Sequence, residues 1–230
     1  MFIYLPDGFE AITMDQTYVI VPAYNEAARI KDVIGEIRKY CKNIIVVDDG
    51  SKDDTVKVAS RENVTVLRHE INMGKGAALK TGCDYACSKD AGYIITIDAD
   101  GQHQPKEIPT FMKALEKADI VFSYRMINRK MPFVLRFGNR FINQTLNYLY
   151  GIKIKDSQSG YRGFTADAYK KIRWNATDYY METEMIIKTR RRRLRYAQLP
   201  IQTIYGDKYK GTTVLDGVGI VAKMIGGKLF

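Results

Sequence analysis

No stretch of the 230-residue chain approaches the ~18–20 continuous apolar residues needed to span a membrane, so no transmembrane segment is expected. Cysteine is scarce. Cys41, Cys83 and Cys87 form neither an even disulfide set nor a C-x-x-C pair, which excludes a disulfide scaffold and a zinc module and suits a reducing compartment. The two histidines, His69 and His103, form no metal-binding pair. His103 falls near an acidic turn at 98–100, but core or surface packing is its more ordinary role. The opening residues, MFIYLPDGFEAITMDQ, carry acids where a secretory leader carries Lys or Arg and lack an apolar centre. Internal repeats, low-complexity tracts and domain-dividing linkers are also missing.

What remains is a globular composition, 46% hydrophobic and 27% charged, expected to form one domain over residues 1–230. The net charge is +10 and unevenly placed. Residues 1–123 hold 15 Lys+Arg against 19 Asp+Glu, whereas residues 124–210 hold 19 against 6. An acidic front half joined to a strongly basic back half points to anionic partners for the back: nucleic acid, an anionic membrane or a phosphorylated substrate.

β-branched runs at Tyr18–Val21, Ile44–Val47, Val64–Leu67, Tyr93–Ile97 and Asp119–Ser123 read as buried strands. Between the first two, Ile30, Val33, Ile34, Ile37 and Cys41 share one helical face, with Asn25 as the expected N-cap. Further helices are predicted over about 75–88 and 105–117. The alternation predicts an α/β fold: βαβ units building a mostly parallel twisted sheet with helices on both faces. From about 131 the alternation stops. Helices follow at 131–151, 180–193 and 217–230, with a turn-rich loop at 156–163 and a late strand at 194–205. The 131–151 helix is amphipathic, with Phe133, Phe137 and Phe141 spaced by four and Arg136, Asn139, Arg140, Asn143 and Asn147 on its polar side.

In parallel sheets ligands bind beyond the carboxyl ends of the strands. Four polar clusters fall there: Pro22-Ala-Tyr-Asn-Glu26, Asp48-Asp-Gly-Ser51, Asn72-Met-Gly-Lys-Gly76 and Asp98-Ala-Asp100. Asp98 and Asp100 flank a single residue at a strand end, so both can reach one hard divalent ion, Mg²⁺ or Mn²⁺, that leaves positions open for phosphate oxygens. A solvated acidic turn is the plain alternative. Asp48 can accept hydrogen bonds from a nucleobase or ribose, with Gly50 permitting a sharp turn. A helix start with first-turn acids at Asp53 and Asp54 explains the same stretch and coexists with that role. The 72–76 glycines either bring a helix N-terminus close to a ligand or mark an ordinary helix start.

Taken in order with Asp98-Ala-Asp-Gly-Gln-His103 and Asp156-Ser-Gln-Ser-Gly-Tyr-Arg162, these motifs resemble the inverting nucleotide-sugar glycosyltransferases of family 2, with the GT-A fold. The dolichol-phosphate and polyprenyl-phosphate mannose and glucose synthases are the most similar subgroup, over roughly residues 17–215. The resemblance implies a nucleotide-sugar-binding half at 17–123 and an acceptor half at 124–215; the apolar stretch at 216–230 reads as a C-terminal helix, either membrane-associated or simply a frayed terminal one. It assigns Pro22, Tyr24, Glu26 and Asp48 to the donor nucleoside. Asp98, Ala99, Asp100 and Gln102 are assigned to the metal and diphosphate, with Asp98, Asp100 and Gln102 as metal residues. Arg125, Arg140, Ser159 and Arg162 fall to the acceptor phosphate, and Lys208 to a late loop over the donor. Asp100, Arg125 and Asp156 take the catalytic roles. One departure is plain: where the family often carries Gly-x-Ser-Lys in the late loop, this chain has Gly211-Thr-Thr-Val214.

A lipid phosphate is already ionised at pH 7, so such an enzyme needs no strong base. It needs cations to hold two phosphate groups together, and guanidinium forks supply them. The expectation is therefore transfer of mannose or glucose from GDP-mannose or UDP-glucose to dolichyl or polyprenyl phosphate for glycan assembly. The enzyme would sit peripherally on the cytoplasmic face of an anionic membrane. Two alternatives are a glycan-hydroxyl acceptor with Asp156 as base, and a silent binding protein docking on membrane or nucleic acid. The intact Asp98–Asp100 pair speaks against the latter. The Arg190–Arg193 run complements a helix C-terminus and suits anionic lipid, so nucleic acid is not expected. Glu182 and Glu184 open a helix, and Glu184 is a minor candidate for facing the sugar.

Overall fold

The structure, a computed structural model, describes residues 14–126, 133–203 and 214–229. A parallel core forms from β1 (Thr17–Ala23), β2 (Asn43–Asp48), β3 (Thr65–Arg68) and β4 (Tyr93–Thr96). Helices α1 (Ile30–Arg38), α2 (Thr55–Ser60) and α3 (Lys75–Ser88) alternate with them. Then come α4 (Ile108–Leu115), β5 (Ile120–Arg125), α5 (Phe133–Tyr150), β6 (Arg162–Thr165), α6 (Ala166–Ile172), α7 (Tyr180–Arg191), β7 (Tyr196–Ile201) and α8 (Val214–Leu229). The seven-stranded sheet runs β3-β2-β1-β4-β6-β5-β7. Its pairs are parallel except those of β6, which runs antiparallel to both β4 and β5.

Both sheet faces are covered, which is why the strands read as continuous apolar runs. Side-chain alternation divides each strand between two cores. Ile20, Ile45, Val47, Ile94 and Phe122 pack towards α3, α5, α6, α7 and α8. Val19, Val21, Ile44, Val46, Ile95 and Val121 pack towards α1 and α4. The four buried aliphatic residues of α1 are Ile30, Val33, Ile34 and Ile37, each worth about 1.5–3 kcal/mol on burial. They tie that helix to the sheet.

Sequence and structure differ in two places. Asn25 does not cap α1, which begins at Ile30 with Arg29 before it. Asn25 instead sits at φ 54° and its amide oxygen accepts the Lys52 N–H at 2.9 Å, while its own N–H donates to Ser51 Oγ at 2.9 Å. The residue thus ties the β1–α1 loop to the β2–α2 loop. The loop expected at 156–163 ends in strand β6, and Thr165 caps α6 by accepting the Ala168 N–H at 3.0 Å.

The C-terminal helices pack on the core and also leave apolar side chains exposed. Ile142 and Leu146 of α5 and Ile220 and Met224 of α8 are buried in the core, and Tyr150 donates to the Met224 carbonyl at 2.6 Å. Phe141 and Tyr148 stand exposed on α5, as does Ile225 on α8. The side chains of Phe133 and Phe137 lie outside the described residues. No helix among the described residues is long and apolar enough to cross a membrane.

Trp174 is fully buried, donates Nε1–H to the Gly76 carbonyl at 2.8 Å and meets Tyr169 edge-on at 5.5 Å. Trp174→Ala should therefore cost about 3–5 kcal/mol, read by urea denaturation followed by circular dichroism. A cost below about 1 kcal/mol would contradict this packing.

Candidate active site

At the carboxyl edge of β1, β2 and β4 the loops leave a cleft of about 600 Å³. Pro22, Ala23, Tyr24, Asn25 and Glu26 line one wall, Asn72, Gly74 and Lys75 another, and Asp98, Ala99 and Asp100 the floor, with Asp178 and Tyr179 closing the far side. Of the paired acids after β2, Asp49 borders the cleft. It accepts the N–H groups of Met73 at 2.9 Å and Gly74 at 2.8 Å and faces His69 Nδ1 at 2.7 Å, so it fixes the loop leading into α3. Asp48 is fully buried beside it. Its Oδ2 accepts the Ser51 N–H at 3.1 Å and Arg68 approaches at 3.7 Å, while Oδ1 has no hydrogen-bond partner among the described residues. Gly50 turns this loop at φ 74°, and a Cβ there would stand 2.5 Å from the Ile71 carbonyl carbon.

The α3 N-terminus borders the cleft, but two of its N–H groups are already taken. The Gly76 and Ala77 N–H groups donate to the Thr177 carbonyl at 2.7 and 3.3 Å, which satisfies two of the donors a helix start leaves open.

Lys75, the first residue of α3, is the centre of the charge arrangement. Its ammonium lies 2.9 Å from Asp98 Oδ1, 3.1 Å from Asp98 Oδ2 and 2.9 Å from Glu182 Oε1. Burial works to raise Asp98, but Lys75, and then His103, hold its carboxyl below the usual value. Burial and the neighbouring Asp98 charge push Asp100 up to about 6, although its Oδ1 accepts the Gln102 N–H at 2.9 Å. Gln102 thus reaches the cluster through its backbone. Burial drives His103 down to about 4, so the ring is neutral at pH 7. Its ring is tilted against that of Tyr161, with the centroids 5.3 Å apart.

On the basic side, Arg125 at the end of β5 forks onto Asp156, Nε to Oδ2 at 2.7 Å and Nη2 to Oδ1 at 3.1 Å. Asp156 also accepts Asn139 Nδ2 at 2.9 Å and the Gln158 N–H at 3.1 Å. Despite burial, the Arg125 guanidinium keeps this carboxyl below the usual range. Ser159 and Arg162, expected on an acceptor phosphate, are buried with their polar groups turned to internal partners. Ser159 is buried with its hydroxyl on that of Ser123. Arg162 is buried and donates to the carbonyls of Ser159 at 2.9 Å, Glu182 at 2.7 Å and Ser157 at 2.7 Å, over the face of Phe122. Burial lowers it to about 10. An extended loop has carbonyls no ladder satisfies, and a buried guanidinium is the fork that gathers them. Arg140 is exposed on α5, and no hydrogen bond or ion pair joins it to the Asp98 cluster among the described residues. Lys208, Lys210 and the Gly211–Thr213 stretch lie outside the described residues.

The donor set suits a hard divalent cation. Among the described residues no group of three or more His, Cys, Asp and Glu side chains assembles as a metal cage. Two carboxylates at one turn, Asp98 and Asp100, are what Mg²⁺ or Mn²⁺ takes from a protein when phosphate and water complete the shell.

Lys75, Glu182 and Gly160 lie in stretches that the sequence marked, but their meeting at one ion pair was not expected. A Cβ on Gly160 would fall 2.6 Å from Asp98 Oδ2 and 2.7 Å from Lys75 Nζ, so the 156–162 loop is pressed directly against the ion pair. The available signal was a lysine at a helix start, where the helix dipole disfavours it. Glu184 serves elsewhere: it accepts the Asn175 and Ala176 N–H groups and pairs with Lys188 at 2.8 Å.

Comparison with known proteins places this geometry. The family model described as glycosyl transferase family 2 matches residues 18–173. A UDP-N-acetylglucosamine–dolichyl-phosphate N-acetylglucosaminyltransferase of Methanococcus voltae is 33% identical over 90% of this chain and 94% of its own. A polyprenol monophosphomannose synthase of Mycolicibacterium smegmatis is 30% identical over 71% of this chain and 66% of its own. Glucosyl-3-phosphoglycerate synthase of Mycobacterium tuberculosis, solved with uridine diphosphate, superposes with a TM-score of 0.76 at 20% identity, covering 99% of this chain and 87% of that one. This last likeness is one of fold, the GT-A arrangement.

Two outcomes test the geometry. Because Asp100 titrates higher in the folded protein than in the unfolded chain, its contribution favours folding below about pH 4 and is lost as pH rises through 6. In metal-free protein Asp100→Asn should therefore raise stability at about pH 7.5 by on the order of 2 kcal/mol, with the gain vanishing by about pH 4. A gain independent of pH would contradict it. Gly160→Ala should cost about 1–3 kcal/mol in chemical denaturation, since the added methyl must displace the Asp98–Lys75 pair or the loop. A cost under about 0.5 kcal/mol would show that the loop is not pressed there.

Proposed function

Since the chain belongs to glycosyl transferase family 2, we propose that it moves a sugar from a nucleotide-sugar donor to a dolichyl or polyprenyl phosphate, with a divalent cation held at Asp98 and Asp100. The observation that carries this reading is the meeting of two oppositely charged edges. The acidic Asp98–Asp100 turn and the Asp156–Arg162 loop, with Arg125 forked onto Asp156, press together across Lys75 and Gly160. The relatives acting on dolichyl and polyprenyl phosphates support the acceptor class.

The donor nucleoside is proposed to lie against Pro22, Tyr24 and Glu26, which line the cleft, with the fully buried Asp48, whose Oδ1 has no partner among the described residues, behind the bordering Asp49. Asp98 and Asp100 would hold Mg²⁺ or Mn²⁺, which when bound neutralises charge on the departing diphosphate. Arg125, whose charge also acts on Asp98, is the group proposed to meet the acceptor phosphate. A lipid phosphate attacks the anomeric carbon directly and inverts it, with no proton to remove.

The condition of Asp156 favours this acceptor over a sugar hydroxyl. A hydroxyl needs a base, and Asp156 has both oxygens engaged and its carboxyl held low, so it is poorly suited to take a proton. Asp156 acts instead by orienting Arg125. Lys208 and Arg140 are proposed to add positive charge over the two phosphates. The exposed Phe141 and Tyr148, with Arg140 on the same helix and the exposed Arg190–Arg193 run, support peripheral attachment to an anionic membrane on its cytoplasmic face. The sugar is mannose, glucose or, as in the Methanococcus voltae relative, N-acetylglucosamine.

A transfer assay tests this. Purified protein is given dolichyl phosphate, Mg²⁺ or Mn²⁺, and separately labelled GDP-mannose, UDP-glucose and UDP-N-acetylglucosamine. Label should enter the organic phase with one donor, disappear with chelator and fall at least ~100-fold in Asp100→Ala. If nucleotide and metal bind but no donor labels the lipid, the acceptor assignment is wrong.

A further inference from the structure

Lys75 and Asp98 both line the cleft, so their ion pair stands in the path of whatever enters it. The ammonium touches both oxygens of Asp98, at 2.9 and 3.1 Å, which are the atoms a cation at this turn would need. On its other side Lys75 lies 2.9 Å from Glu182 Oε1. Glu182 is only 2% exposed, and its Oε2 has no hydrogen-bond partner among the described residues. One half-buried lysine therefore lies between two carboxylates on separate elements, and the second carboxylate has an oxygen to spare.

We infer that Lys75 is a tethered counter-ion that competes with a divalent cation for Asp98, and that Glu182 is the receiver that draws the ammonium aside when the cation binds. Lys75 is thus a positioning residue for Asp98, and Glu182 for Lys75. The inference rests on the assignment of Asp98 and Asp100 as the cation site. Its physical content is a sign. Removing Lys75 leaves Asp98 free and the turn more negative, so a divalent ion binds more tightly. Removing the charge of Glu182 leaves the ammonium wholly to Asp98, so the ion binds less tightly. A lysine that merely stiffened the fold would weaken ion binding when lost.

The test is titration of Mn²⁺, with no nucleotide, into the full chain while the electron paramagnetic resonance signal of free Mn²⁺ is followed. Lys75→Gln should tighten binding about tenfold over wild type, the order expected when one unit charge a few ångströms from a divalent ion is removed and screening is nearly that of water. Glu182→Gln should weaken it. Lys75→Gln leaves two buried acids uncompensated; if it does not fold, the double variant Lys75→Gln/Glu182→Gln takes its place and should bind more tightly than Glu182→Gln alone. Lysine-lacking variants that bind no more tightly than their parents overturn the inference and leave the cation site standing. Wild-type protein that takes up no more Mn²⁺ than Asp100→Asn overturns the cation site and the inference with it.

Discussion

The ammonium of Lys75 between Asp98 and Glu182 is the interaction on which the rest of the site depends. It ties the start of α3 to the turn after β4 and to the first turn of α7. Without it three buried or half-buried acids, Asp98, Asp100 and Glu182, would face one another uncompensated, which is strongly unfavourable in a low-dielectric interior. The 156–162 loop rests on that pair through Gly160 and is braced from below by Arg162, whose guanidinium also holds the Glu182 carbonyl. The strand-end edge of the cleft and the 156–162 loop therefore share one electrostatic joint.

The chain's uneven charge acquires a structural meaning from this joint. The acidic half supplies the floor of the cleft, and the basic half supplies Arg125 and Arg162, which stabilise the loop opposite it. These two arginines show how burial decides the use of identical chemistry. Arg125 is half-buried and forked onto a carboxylate at the rim, whereas Arg162 is nearly inaccessible and spends its donors on carbonyls. Likewise two N–H groups at the α3 start are already taken by the Thr177 carbonyl.

Much of this was legible beforehand. The β-branched runs located β1 to β5, because strands buried on both faces must be apolar throughout, and the polar residues after them marked the functional edge. The sequence also carried the family motifs whose match spans residues 18–173. Strand β6 was not legible: Arg162-Gly-Phe-Thr165 has no strand-like run, and its arginine enters the core only because loop carbonyls await it. Nor was the partner of Lys75, since Glu182 lies far along the chain and nothing in its spacing announces the contact. Asn25 looked like a cap because asparagine usually caps, but its left-handed backbone and contacts with Ser51 and Lys52 use it as a clip between loops. The arginines that motif matching grouped together separate once burial is known.

The antiparallel placement of β6 bears on how the chain reaches this structure. During synthesis β1 to β4 emerge first, and β4 then presents an open edge at Tyr93–Thr96 whose partner, Arg162–Thr165, has not yet been made. Pairing across that separation closes a long loop, a slow step compared with the local βαβ contacts. An unpaired apolar strand edge in the interval is a template for association with other chains. Nascent chains of this protein are therefore most vulnerable to aggregation after β4 is complete and before β6 arrives, a window set by topology alone.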